Sequence, residues 1–79
     1  MARKELNNFE AVSAVVPGDG GYDAAIAVKA IGAGGAPVFH RVLDGQKFKT
    51  AYDADVAATE ELARLSAIDA EGGLVFGVQ

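Results

Sequence analysis

The chain has 79 residues, a formal charge of −4 and no cysteine, so it is limited to one domain without disulfides or thiolate zinc sites. Hydrophobic residues make up 51% of it, but much of that is alanine, so Leu, Ile, Val and Phe must supply most of the core. No apolar run approaches the ~20 residues of a membrane span, and the net negative charge argues against a generic polyanion binder.

Residues 1–8 read as a disordered leader: charged side chains, then Asn7-Asn8. They contain no apolar stretch or cleavage signature, and the expected location is the cytoplasm. Phe9 to Val16 is short, apolar and β-branched, which predicts a first strand. Pro17-Gly18-Asp19-Gly20-Gly21 is expected to end it as a flexible turn.

Tyr22 to Ile31 predicts a second strand. Its alternation sets Tyr22, Ala24, Ile26, Val28 and Ala30 on the core side. Gly32-Ala33-Gly34-Gly35 is the second turn, and Val38 to Leu43 the third strand, entered through Pro37. Asp44-Gly45 is a strong hairpin signal. It predicts a brief fourth strand, or an extended arm, over Gln46–Lys49. Phe48 would then pair with Arg41 or Val42, according to loop length, and reach the core.

Thr50 is an N-cap with Asp53 three residues on, and Asp53 and Asp55 suit the positive end of a helix. Ala54, Ala58, Leu62, Leu65 and Ile68 recur at helical spacing, which predicts one helix over 51–70, about 30 Å long. Gly72-Gly73 is its expected stop. Leu74-Val75-Phe76-Gly77-Val78-Gln79 is apolar enough to be an aggregation hazard in water. It is expected to dock on a sheet edge or a partner chain, with Leu74, Phe76 and Val78 pointing one way.

Charge is divided along the chain. Residues 1–49 hold six basic and five acidic side chains, whereas residues 50–79 hold one basic and six acidic. The helix is thus an acidic element beside a nearly neutral sheet.

Little in the sequence points to catalysis. Neither glycine turn is preceded by a strand and followed by a helix with a Lys-Ser or Lys-Thr pair, as a phosphate loop requires, so both read as hairpin connections. His40 is the single histidine, with no cysteine or second imidazole to share a metal, and reads as a strand residue with one edge in water. Asp53, Asp55, Glu60 and Glu61 scatter around the helix. No nucleophile, base and orienting group come together, so neither an enzyme nor a cofactor or metal site is expected.

A three-stranded sheet followed by one helix, entered through Phe48-Lys49-Thr50, resembles in outline the arm-type DNA-binding domains of tyrosine recombinases, which lay the sheet in the major groove. That resemblance implies nucleic-acid contacts from Lys29, Arg41, Lys47 and Lys49, with Tyr22, Phe39, Phe48, Tyr52 or Phe76 available to stack on bases.

The expected architecture is α+β: a three- or four-stranded antiparallel meander with one long C-terminal helix across one face, and a possible short C-terminal strand. Residues 9–79 form a single β-β-β-α domain. Depending on register, the uncovered face would carry residues such as Phe9, Val15, Ala25, Ala27 and Ile31. That apolar face, with Leu74, Phe76 and Val78 of the tail, suggests self-association. The leading expectation is a non-enzymatic protein-interaction module, acting as a homodimer or on another protein. Sheet-mediated DNA binding is the alternative, and no membrane partner is expected.

Overall fold

Asn7 and Asn8 both adopt positive φ, 51° and 69°. Asparagine tolerates this region better than other side chains, and two such residues form a tight hairpin connection. They join β1 (Arg3–Leu6) to β2 (Phe9–Gly18), with Leu6 opposite Phe9 and Arg3 opposite Val12. Residues 3–6, expected to lie in a disordered leader, are therefore a strand. The computed structural model describes residues 2–32, 34–43 and 45–77.

A second tight turn at Asp19-Gly20, with Gly20 at φ 82°, leads into β3 (Gly21–Ala30). Contrary to expectation, β2 continues through Pro17 to Gly18. The main chain of Tyr22, opposite Pro17, bonds away from β2, to Phe48. The missing Pro17 N–H is thus on the side beyond the end of β1, where no ladder bond is lost.

β4 (Val38–Arg41) pairs with β3, giving the antiparallel order β1-β2-β3-β4. Val42 N still donates to Ala24 O at 3.0 Å. The chain then loops outward through Leu43 (φ 54°) and Gly45 (φ 88°), and returns at Phe48. Phe48 exchanges two 2.9 Å hydrogen bonds with Tyr22. The expected hairpin at 44–45 is therefore corrected: Phe48 pairs with neither Arg41 nor Val42, but rejoins β3 along the same edge. Gly45 is at positive φ, and Phe48 does pack against the core as expected. Asp44 lies outside the described residues.

Thr50 caps α1 (Ala51–Arg64), accepting from Asp53 N at 3.1 Å. The helix ends well before the expected position. Leu65 is extended (φ −66°, ψ 121°) and opens β5 (Leu65–Ile68), which pairs antiparallel with β6 (Leu74–Phe76). Lys4 Nζ, from β1, donates to the carbonyls of Leu62 (3.3 Å), Ala63 (3.3 Å) and Leu65 (2.7 Å). A cation there satisfies carbonyls that have lost their helical donors and complements the negative end of the dipole. Gly72 (φ 83°) serves the β5–β6 turn instead of a helix stop. Asp69 Oδ1 braces that turn, accepting from Glu71 N (3.0 Å) and Gly73 N (2.7 Å).

The core lies between the sheet and the layer of α1, β5 and β6. It gathers Ala11, Ala24, Ile26, Val28 and Val42 from the sheet side and Ala58, Leu62, Leu65 and Ile68 from the other. The expected core alternation of β3 holds at Ala24, Ile26 and Val28. Leu65 and Ile68 are buried as expected, but from a strand. A register shift between Leu65 and Ala67 allows two residues three apart to face the same side.

Candidate functional site

The helix covers one face of the sheet, and among the described residues no element lies over the other. Register decides which side chains stand there, because cross-strand partners share a face. Glu5, Glu10 and Lys29 form one row, followed by Arg3, Val12, Ala27 and Phe39. Ala14, Ala25 and Arg41 come next, then Val16 and Asp23. Two expected members are corrected. Phe9 pairs with Ala30 and Val15 with Ala24, so both belong to the helix side; Val12, Ala14 and Val16 take their place. The β2 register, set by the Asp19-Gly20 turn, fixes this.

The centre of the open face is apolar. Ala25 and Ala27 are 0% and 4% exposed because larger neighbours flank them. Phe39 stands at one side, 54% exposed. At the end of the face nearest the Asn7-Asn8 turn, Arg3, Glu5, Glu10 and Lys29 line a shallow recess of about 340 Å³.

Charges form the rim. Arg3 bonds to Glu5 at 2.6 Å and also to Glu10. Asp23, largely buried, accepts from Lys47 at 3.1 Å and pairs with Arg41 at 3.7 Å. The residues expected to touch nucleic acid are thus partly assembled. Lys29 and Arg41 share the open face and Lys47 reaches its rim at Asp23, but Lys29 sits opposite Glu10 and the other two converge on one carboxylate. Lys49 is an exposed residue at the helix entry.

The tail residues are used within the chain. Leu74 and Phe76 pair with Ile68 and Leu65 and pack against the core, whereas Val75 points outward. Val78 lies outside the described residues.

His40 belongs to the helix side, opposite Ile26, and its Nε2 is buried without a hydrogen-bond partner. Among the described residues, no three His, Asp or Glu side chains come together to hold a metal. No described helix is long and apolar enough to cross a membrane.

A polar link unforeseen in the sequence joins sheet to helix. Ser13 Oγ accepts from Ala2 N at 2.9 Å and donates to Asp55 Oδ1 at 2.8 Å. Asp55 had a sufficient explanation in the helix dipole, and a serine within an apolar strand carries only a weak signal. The signal that did exist was its two-residue step from Ala11 and Val15, which placed it on their face.

No family model, curated protein or solved structure matches this chain.

Proposed function

We propose that this chain is a small non-enzymatic interaction module, acting in the cytoplasm, that self-associates as a homodimer through the open face of its sheet. The observation that carries this reading is the apolar centre of half-buried Val12, Ala14 and Val16 beside the exposed ring of Phe39. A contiguous apolar surface bounded by charged residues is characteristic of an interaction site. The tail supports the reading less than the face does, because Leu74 and Phe76 already pack within their own chain.

Sedimentation equilibrium over a wide concentration range tests the proposal. A monomer–dimer equilibrium is expected, and Phe39→Asp should shift it to monomer while leaving the circular dichroism spectrum unchanged. A strictly monomeric parent would overturn it.

Lys29, Arg41 and Lys47 on or beside one face favour a second reading, sheet-mediated binding of DNA. A mobility shift at low salt that fades as salt rises would support it. No shift at low salt would dismiss it.

A further inference from the structure

The open face is divided lengthwise by charge. Its β1–β2 half carries Glu5 and Glu10 against Arg3, and its β3–β4 half carries Lys29 and Arg41 against Asp23, with Lys47 at the rim. One half is net acidic and the other net basic, with the apolar centre on the seam. A uniform polyanion would meet an unfavourable half. A second copy of the same face, turned so that the halves exchange, sets its net basic half over the net acidic half, with Glu10 facing Lys29.

Only one family of two-fold axes exchanges those halves while keeping the rows aligned: an axis parallel to the strands, running between the two faces over the β2–β3 seam. We infer that two copies of this chain pack face to face about that axis, with β2 of each over β3 of the other. The inference rests on the homodimer reading and adds its geometry. Glu10 of one copy then lies over Lys29 of the second. Val12 lies over Ala27, and Arg3 over the ring of Phe39, where a guanidinium is attracted to the aromatic face. The strands of the two sheets run within about 30° of each other, as in an aligned sandwich. The alanines suit this contact because they let the two backbones approach closely.

The area is small. Four strands ~4.8 Å apart, over six or seven residues at ~3.4 Å, present roughly 400–500 Å² per copy. That places the dimer among weak, reversible associations, so it should be sought up to about 1 mM.

The test uses charge inversion in the full chain, with size read by sedimentation equilibrium and folding by circular dichroism. Glu10→Lys places like charges over Lys29 of the second copy, and Lys29→Glu does so over Glu10. Each variant alone should dimerise at least tenfold more weakly than the parent. An equimolar mixture of the two should recover parental affinity, because every facing pair is then opposite in sign. Recovery on mixing cannot come from repair of the neighbouring Glu10–Lys29 pair within one chain. A parent that dimerises while both variants dimerise equally well would overturn the geometry and leave the homodimer standing. So would recovery in the doubly inverted chain but not in the mixture. A parent that stays monomeric to 1 mM would overturn the homodimer itself. If inversion prevents folding, oxidation of Val12→Cys mixed with Ala27→Cys provides the second measurement. The mixed disulfide should exceed both homodisulfides, and random pairing would overturn the geometry.

Discussion

Ser13 Oγ lies 2.8 Å from Asp55 Oδ1, joining β2 to the beginning of α1 across 42 residues of chain. The bond is part-buried, and the same hydroxyl accepts the Ala2 N–H at 2.9 Å. One side chain therefore connects the helix, the second strand and the start of the chain. Ser13 is 1% exposed, so water cannot readily replace it. Ser13→Ala removes a hydrogen bond to a charged acceptor and leaves the Ala2 N–H without its partner. A loss of about 1–3 kcal/mol is expected in urea unfolding. Stability within 0.5 kcal/mol of the parent, about the scatter of neutral surface changes, would show that the link contributes nothing.

Lys4 provides a second connection from β1, at the other end of the helix. Lys4→Met keeps most of the aliphatic stem and removes the three donors to Leu62, Ala63 and Leu65. The expected cost is about 1 kcal/mol. Hydrogen exchange should quicken first in β1 and the last turn of α1. Unchanged protection in both would refute the cap.

Leu62 carries the packing of the helix onto the sheet and is 2% exposed. Leu62→Ala should cost about 2–5 kcal/mol, a large share of the stability of so small a domain. A melting temperature equal to the parent's would mean that the site collapses without loss.

Two glycines at positive φ should differ sharply. At Gly21 (φ 143°) a methyl group would lie 2.5 Å from the Phe48 carbonyl oxygen, which belongs to the Tyr22–Phe48 bridge. At Gly45 (φ 88°) it would meet nothing within 4 Å. Gly21→Ala should therefore destabilise clearly more than Gly45→Ala, which meets only the left-handed backbone penalty of about 1–2 kcal/mol. Gly45→Val should in turn cost more than Gln46→Val. Equal melting temperatures for the two alanine variants would contradict the close approach at Gly21.

Removal of residues 74–79 deletes β6, which pairs with Leu65 and Ile68. The melting temperature should fall, and the sedimentation behaviour of the remaining folded chain should match the parent's. A shift toward monomer would return the tail to the self-association surface.

Much of the architecture follows from local chemistry. The alternation from Tyr22 to Ala30 marks the core side of β3, because successive strand side chains point to opposite faces. Thr50 marks the helix start, because its hydroxyl is placed to accept from Asp53 N. Gly45 marks a left-handed position. Asn7-Asn8 carried a turn signal too, but the charged residues before it obscured the strand they form.

Other features depended on partners distant in sequence. Spacing alone cannot separate a helix over 65–68 from a strand, because Leu62, Leu65 and Ile68 satisfy a helical stripe, and a bulged strand buries the last two equally well. Pairing with Leu74–Phe76 and the ammonium of Lys4 at the helix end favour the strand. Likewise Asp44-Gly45 specifies a bend, while the return of Phe48 to Tyr22 depends on the free edge that β3 offers beyond Ala24. The division of the open face into acidic and basic halves follows the same logic. Each charge is written in the sequence, but its place on the face is set by the register of four strands.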